Sequence, residues 1–240
     1  MKKTFSLLTI IILISSCGSD NGVDGTVTVN GNIDGLKVGT VLLQRLDDTV
    51  LTTLDSVALD GSSEFSLSGT LDEPQIMYIH LDVKDGSKYD DRFMFFAEDT
   101  VLTLQSKLED FENEVVISGS ENHDILTEFN VNKKRLNEVY TELVKRSMII
   151  SAKENPDPVE LEKLDSDYEK YLRKKVLYAI NFAQRFKDKE VAPYILVSEA
   201  FDANPILLDS SFHKMPKKIQ TSRYGKQLSE LIERSKKENL

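Results

Sequence analysis

The spacing of apolar and polar positions first separates a short leader from the rest of the chain. Phe5 to Ile14 is apolar except for Ser6 and Thr9, and it follows the basic start Met1-Lys2-Lys3. A basic start and a short apolar run are typical of a secretory signal peptide. The alternative is a transmembrane anchor, but a bilayer-spanning helix needs about 20 apolar residues, roughly twice this run.

The segment Ile14-Ser15-Ser16-Cys17 closes the leader. Signal peptidase II requires an aliphatic residue three places before a cysteine and small residues between them, so that the extended backbone fits the protease. The pattern therefore predicts cleavage between Ser16 and Cys17 and attachment of a diacylglyceryl group to the Cys17 sulfur. Burial of acyl chains contributes about 0.8 kcal/mol per CH₂, so the processed chain would be anchored in membrane lipid without spanning it.

Cysteine usage agrees with this assignment. Cys17 is the only cysteine in 240 residues, so neither a disulfide nor a Cys-x-x-Cys redox pair can form within the chain. Residues 18–25 are rich in Gly, Ser, Asp and Asn, as in a flexible linker. We expect a signal peptide over residues 1–16 and a lipidated tether over residues 17–25, and Gly18 in place of Asp favours the outer over the inner membrane.

From Thr26 to Ser118 the apolar residues recur at short spacing between turn residues, which is typical of β-strands. Tight turns are expected at Asp47-Asp48, Asp60-Gly61-Ser62-Ser63 and Asp85-Gly86. Seven or eight short strands predict an antiparallel β-sandwich or barrel over residues 26–120. The expected strands are Val27–Ile33, Val38–Leu46, Thr49–Leu59, Phe65–Ser68, Ile76–Val83, Phe93–Phe96, Val101–Leu104 and Val115–Ile117.

One of these strands is apolar on both faces. Phe93 and Phe95 share one face, and Met94 and Phe96 share the other. This predicts a central strand of the sandwich with both faces buried. The alternative is an aromatic platform for a sugar or peptide, completed by Tyr78 and Tyr89.

After Gly119-Ser120 the apolar period becomes helical, so residues 121–240 are expected to be a helical region in an α+β fold. A first helix should end before Asn155-Pro156. A second should begin at Asp157-Pro158-Val159-Glu160, which supplies a capping Asp, a Pro at the first helical position and a Glu at the third. The two form a long antiparallel hairpin of about 40 Å at 1.5 Å per residue.

Shorter helices are expected at Pro193 to Phe201 and at Arg223 to Lys237, with Pro205 and Pro216 breaking the chain between them. The predicted apolar stripes of the hairpin face the core. In the first helix the stripe is Leu126, Phe129, Leu136, Val139, Tyr140, Leu143 and Val144, interrupted by Lys133; in the second it is Leu161, Leu164, Tyr168, Leu172, Val176, Ala179, Ala183 and Phe186.

Charge is distributed unevenly along the chain, whose formal net charge is -10. Residues 17–120 hold 20 acidic and 6 basic side chains, whereas residues 121–240 hold 20 and 22. The overall acidity argues against nucleic acid as a partner. The basic side chains of the hairpin fit either a solvated surface or contact with anionic lipid or with the acidic β region of a neighbour.

Side chains that carry chemistry are sparse. His80, His123 and His213 have no second His or Cys at ligand spacing, so no metal site is expected. The acidic loop around Gly86 (Asp82, Asp85, Asp90, Asp91) lacks calcium-loop spacing and is better explained as a solvated turn. The chain contains neither Gly-x-Ser-x-Gly nor a glycine-rich phosphate loop, so we expect no catalytic residue, no cofactor and no enzyme activity.

The β region resembles the domain of unknown function that opens many Gram-negative thioredoxin-like lipoproteins, of the TlpA and peroxiredoxin-related kind. The resemblance implies a helical stretch after the β domain, ending in Ser-x-Tyr-Gly. The matching pieces are Asp55-Ser56-Val57, Gly61, Phe65-Ser66-Leu67-Ser68-Gly69, Phe95-Phe96-Ala97-Glu98, Ile117-Ser118-Gly119-Ser120 leading into Asn122, and Ser222-Arg223-Tyr224-Gly225.

The chain departs from that family in two places. Asp99-Thr100 stands where the family more often has a Gly-containing turn. The thioredoxin fold with its Trp-Cys-x-x-Cys site has no counterpart, since this chain contains no Trp and a single Cys. No redox residue therefore carries over.

These features favour a non-catalytic lipoprotein of the cell envelope, membrane-anchored through acylated Cys17, that acts as a protein-interaction module with an envelope protein partner. Two alternatives remain open. One is an accessory role beside a separate thioredoxin-like protein, which the resemblance implies. The other is a binder of a small ligand or glycan in a cleft between the β region and the hairpin.

Overall fold

The computed structural model describes residues 25–83 and 91–238. The predicted signal peptide, Cys17 and all but the last residue of the predicted tether lie outside these residues. Residues Leu108–Asp110 form a short 3-10 helix. The strands are β1 (Gly25–Asp34), β2 (Val38–Asp47), β3 (Val50–Asp60), β4 (Glu64–Leu71), β5 (Gln75–Asp82), β6 (Asp91–Ala97), β7 (Val101–Lys107) and β8 (Val116–Ser118). The helices are α1 (Glu121–Ser151), α2 (Pro158–Arg185), α3 (Val191–Glu199), α4 (Pro205–His213), α5 (Lys217–Gln220) and α6 (Arg223–Glu238).

The strands form two four-stranded sheets that pack face to face. Sheet A has the order β4-β1-β7-β8 and sheet B has the order β3-β2-β5-β6. All neighbouring strands are antiparallel except β1 and β7, which run parallel because β7 returns to sheet A on the other side of β1. The predicted α+β class is confirmed, and the β region is a sandwich rather than a closed barrel.

Period-two alternation in the strands builds the sandwich core. In β4, for example, Phe65, Leu67, Gly69 and Leu71 are buried while the residues that alternate with them are exposed. The predicted half-buried strand at Phe65–Ser68 is thus confirmed. The turn after β3 places Gly61 at a φ of +82°, a left-handed conformation that Gly adopts without steric cost.

The position predicted for the Phe93–Phe96 strand is wrong. This strand, β6, ends the order of sheet B instead of lying at its centre. Both faces of β6 nevertheless make apolar contacts. Phe95 packs in the sandwich core, and Phe96 packs in a second core formed mainly by the helices. Ile76 and Met77 of β5 divide in the same way. Sheet B is therefore a wall shared by two hydrophobic cores.

The long hairpin forms with the predicted caps. The Asp157 side chain accepts a hydrogen bond from Val159 N at 2.9 Å, and Pro158 takes the first helical position of α2. The prediction that the apolar stripes are buried is correct for only some of their members. Ala179 and Ala183 are fully buried, whereas Tyr168 is 42% exposed. Exposed members of the predicted stripes are Val139, Tyr140, Val144, Leu161 and Tyr168. Of the two helices, α1 contacts the sandwich at β6 and β8, whereas α2 packs mainly on α1, α3 and α4. The far part of the two helices, residues 136–177, is here called the distal hairpin.

Two short helices lie where chain breaks were expected. Pro205 is the first residue of α4, and the Asn204 side chain caps that helix by accepting from Ile206 N at 2.9 Å. Pro216 directly precedes α5. Proline fits a helix start because its φ is already helical and its missing N–H would have no partner in the first turn. The helical region is interrupted at both prolines as predicted, but the helices α4 and α5 that begin there were not predicted.

Candidate functional site

A buried polar network joins the sandwich to the helices. Asn122 Nδ2 donates to Glu98 Oε2 at 2.9 Å and to Glu190 Oε2 at 3.3 Å, and Asn122 Oδ1 accepts from Val191 N at 2.9 Å. Lys218 Nζ lies 3.1 Å from Glu190 Oε1 and balances its charge. Glu98 and Asn122 belong to two different segments that match the family, one in the β region and one at the start of α1. Their hydrogen bonds fix α1 and α3 against the β6–β7 turn.

His123 contributes to the same junction. Its backbone N–H donates to the capping Ser120 Oγ at 3.0 Å, and its ring Nδ1 accepts from Phe96 N at 3.4 Å. Burial lowers the pKa of His123, although Asp124 opposes this shift. A ring nitrogen that accepts a backbone hydrogen bond is unprotonated, so His123 is a neutral, structural side chain.

The Ser-x-Tyr-Gly segment makes the third connection. The phenol oxygen of Tyr224 accepts a buried hydrogen bond from Ile76 N at 2.9 Å, across 148 residues of sequence. Ser222 Oγ accepts from Gly225 N at 3.3 Å at the start of α6. Burial raises the pKa of Tyr224 to about 12. These residues tie the last helix to β5.

A cavity of about 320 Å³ lies beside this contact, between the β2–β3 turn, β5, α3 and α6. We call it the junction cavity. Tyr194 and Tyr224 form one aromatic corner, with ring centroids 5.0 Å apart. Burial raises the pKa of Tyr194 above its ordinary value, so this phenol stays neutral at physiological pH. The lining residues are Leu46, Asp48, Gln75, Ile76, Tyr78, Tyr194, Arg223, Tyr224 and Gln227.

Several polar groups of the junction cavity have no partner among the described residues. The Nε2 of Gln75 is buried without a hydrogen bond, although Gln75 as a whole is only 1% exposed. The Arg223 guanidinium and the Asp48 carboxylate make no ion pair with any described residue. Asp48 also has a φ of +54°, a conformation that is uncommon outside Gly.

Sequence reasoning missed the junction cavity. It expected any ligand cleft between the β region and the hairpin, whereas this cavity involves α3 and α6. Asp47-Asp48 was identified only as a turn and Arg223 only as part of a family segment. The available signal was Gln75, a polar residue at the start of an apolar strand.

A second concave surface lies along the distal hairpin. This hairpin groove has a volume of about 590 Å³ and lies between α1 and α2. Asp167 is already paired with Arg146 at 3.0 Å and with Lys170 at 3.4 Å, and the Arg146 hydrogen bond lowers the pKa of Asp167. Its lining residues are Val139, Glu142, Leu143, Arg146, Asp167, Lys170, Tyr171, Arg173, Lys174 and Leu177.

The groove exposes apolar side chains and unpaired cations side by side. Val139 is 50% exposed and Leu177 is 43% exposed. Arg173 and Lys174 make no ion pair with a described residue. Four basic and two acidic side chains line the groove, which gives it a formal charge of +2.

The other candidate positions give no assembled site. Within residues 25–83 and 91–238, no group of three or more His, Cys, Asp or Glu side chains is placed to hold a metal ion. The loop at Asp85, Gly86 and Asp90 lies outside the described residues, as do Ser16 and Cys17. No described helix is both long and apolar enough to cross a membrane.

Comparison with known proteins identifies the β region. Residues 27–126 match a family of domains of unknown function, DUF4369. The match runs from β1 through the sandwich into the first turns of α1, and the predicted recognition of a β-rich domain of unknown function is confirmed. The association with thioredoxin-like proteins stays a prediction. A search of curated proteins gave no match.

Proposed function

We propose that this chain is a non-catalytic lipoprotein of the cell envelope that is anchored through acylated Cys17 and binds a second envelope protein in the hairpin groove. The observation that carries the proposal is the groove itself. Contiguous exposed apolar side chains on a soluble protein mark interaction surfaces more often than isolated ones do. Here Val139 and Leu177 are exposed within one concave surface, beside the unpaired Arg173 and Lys174.

The groove's chemistry defines the partner. Apolar side chains on the partner would bury Val139 and Leu177, and carboxylates would pair with Arg173 and Lys174. An acidic amphipathic segment satisfies both requirements, as in helix-in-groove recognition. The rim cations would chiefly raise the association rate, and the apolar centre would supply most of the affinity.

A photo-crosslinking residue at Tyr171, at the floor of the groove, tests the proposal in cell envelopes. We expect one stoichiometric product, whose crosslinked peptide is acidic and apolar. The double variant Val139→Ser/Leu177→Ser should lose the product, because it removes the apolar contact. The charge-reversed variant Arg173→Glu/Lys174→Glu should lose it at low salt as well, because its groove repels carboxylates.

The matched control changes the same amount of charge elsewhere on the hairpin. Lys134→Glu/Arg135→Glu alters two exposed basic residues of α1 that do not line the groove. It should retain the product. A product that survives all groove variants would contradict the proposal, and so would a crosslink to the acidic β region of another copy of this chain.

The anchor is tested separately. Cys17→Ser removes the sulfur that would carry the acyl chains, so the protein should move from the membrane to the soluble fraction and lose incorporation of labelled palmitate. Gly18 after the cysteine favours recovery of the parent protein with the outer membrane. A parent protein without fatty acid, or already soluble, would contradict this part alone.

A further inference from the structure

The junction cavity has the composition of a binding site that the interaction role does not use. It lies between the β2–β3 turn and α6, whereas the hairpin groove lies on α1 and α2. Its volume of about 320 Å³ is at the lower end of the range for ligand pockets, about 300–1,000 Å³. A ligand there would have the size of an amino acid or a short peptide.

The walls of the junction cavity are aromatic and already fixed. The rings of Tyr194 and Tyr224 each lie 5.8 Å from Phe96, and their phenol oxygens are engaged with Met94 Sδ at 3.6 Å and Ile76 N at 2.9 Å, respectively. These rings can therefore offer surface without rearrangement. Rigid aromatic walls suit an apolar side chain of a ligand.

Unpaired groups of both charges accompany these walls. Arg223 offers a guanidinium and Asp48 offers a carboxylate, and neither forms an ion pair with a described residue. The nearby Asp47 carboxylate forms its ion pair with Arg45 at 2.8 Å, and Arg223 acts on it only through the longer-range charge interaction that helps to lower the pKa of Asp47. The cavity as a whole therefore matches a ligand that carries one positive and one negative group.

Two further features fit a site that a ligand completes. The buried Nε2 of Gln75 lacks an acceptor among the described residues, and such a group is costly unless something binds it. The backbone of Asp48 is held at a positive φ, and strained residues cluster at ligand sites. Both residues line the cavity, at its floor and at its rim.

We propose that the junction cavity binds a small zwitterion, a free amino acid or short peptide with an apolar side chain. Its carboxylate pairs with Arg223, which suits this group because a guanidinium presents a fork of donors. Its ammonium pairs with Asp48, and its side chain packs against Tyr78, Tyr194 and Tyr224. A nucleotide or a phosphorylated ligand fits less well, because the cavity has a single cation, Arg223, and the anionic Asp48 would repel a phosphate.

Isothermal titration calorimetry on the full chain in detergent micelles tests this site with four probes. Phenylalanine and the dipeptide Ala-Phe carry both charges; N-acetylphenylalanine lacks the ammonium, and phenylalanine amide lacks the carboxylate. We expect the zwitterions to bind with submillimolar Kd and each singly charged probe to bind at least about tenfold more weakly. No heat from any probe at millimolar concentration would overturn the proposal, and so would equal binding of all four.

Variants assign each charge to its residue. Arg223→Gln should weaken the binding of N-acetylphenylalanine and leave the binding of phenylalanine amide unchanged. Asp48→Asn should weaken the binding of phenylalanine amide and leave that of N-acetylphenylalanine unchanged. Asn tolerates the positive φ of residue 48, so the turn is preserved. Arg234→Gln, at an exposed site on the same helix, is the control and should bind all probes as the parent does. The assignment would be overturned if each variant lost binding of both probes, or if neither variant lost binding of either probe.

Gln75→Met provides a readout that does not depend on the charged rim. It keeps the length of the side chain and removes the unpaired amide. If a ligand oxygen uses that amide, zwitterion binding weakens while the Tm does not fall. Unchanged binding would exclude Gln75 from the site, and a lower Tm would show that its amide is structural.

Discussion

Tyr224 shows how much a single side chain contributes to the junction of two cores. Its phenol oxygen is the acceptor for Ile76 N, and its ring packs against Phe96. A buried donor that loses its acceptor costs about 1–3 kcal/mol of stability. The Tyr224→Phe variant should therefore have a lower free energy of unfolding by about that amount at neutral pH, measured by urea denaturation.

The ionisation of Tyr224 gives this prediction a pH dependence. Burial raises its pKa to about 12 in the folded chain, whereas an unfolded Tyr titrates near about 10. Its stabilising contribution is complete below about pH 10 and is lost between about pH 10 and 12, because the unfolded chain releases the proton first. The stability difference between the parent protein and Tyr224→Phe should therefore shrink over that interval, by about 1.4 kcal/mol per pH unit. A constant difference would mean that the phenol is not buried.

Single residues also mark the limit of what the sequence reveals. The resemblance identified Glu98, Asn122 and Tyr224 as parts of matching segments, but their hydrogen bonds join positions 24 to 148 residues apart. No local pattern encodes such contacts. Gln75 and Asp48 are equally inconspicuous, since a polar residue acquires significance only when the fold leaves it without a partner.

At the scale of elements, the start of α6 depends on the absence of a side chain. A Cβ at Gly225 would lie 2.0 Å from Ile219 O and 2.6 Å from Gln220 O. Both are backbone atoms, so the clash cannot be relieved by rotating a side chain. Gly225→Ala should destabilise the protein by about 3 kcal/mol or more, measured by thermal unfolding.

Gly61→Ala is the matched control for that substitution. Gly61 has a φ of +82°, and nothing lies within 4 Å of the added Cβ, so it has the backbone constraint without the steric clash of Gly225. Its cost should be limited to the backbone term of about 1–2 kcal/mol. Equal effects of the two substitutions would show that α6 shifts freely at its start.

The elements themselves were largely predictable, and their burial was not. Periodicity gave the strands, both long helices and the Asp157 cap, because these depend on neighbours in sequence. It placed Leu161 and Tyr168 in a buried stripe, yet both are exposed. An apolar stripe shows only that a helix face is suited to a packing partner, and within residues 25–83 and 91–238 no element covers this part of the distal hairpin. Lys133 interrupts the apolar stripe of α1. Its ammonium forms an ion pair with Glu199 of α3 at 2.5 Å, which explains a charged residue at this position.

At the scale of the whole molecule, sheet B couples the sandwich to the helices. Met77 and Phe95 belong to one core, and their neighbours Ile76 and Phe96 belong to the other. Fully burying each such side chain contributes about 1.5–3 kcal/mol. Separating the helices from sheet B would expose Ile76 and Phe96, and separating the two sheets would expose Met77 and Phe95, so loss of sheet B would open both cores.

This coupling predicts one cooperative unfolding transition. The infrared bands of strand and helix should melt at the same temperature, as expected for a two-state process. Asn122→Ala, which breaks the network to Glu98 and Glu190, should lower both midpoints together. Melting of the helical band well below the strand band would show that the two regions fold independently.

The place of β1 has a mechanical consequence. This strand begins at Gly25, the first described residue after the proposed anchor, and it is hydrogen-bonded to β4 on one side and to β7 on the other. Tension between a membrane and a partner on the hairpin would enter the body through β1 and pull it along its own axis. Both ladders would then be sheared at once instead of being peeled open bond by bond, so the strand at the point of attachment is held against extraction along both of its edges.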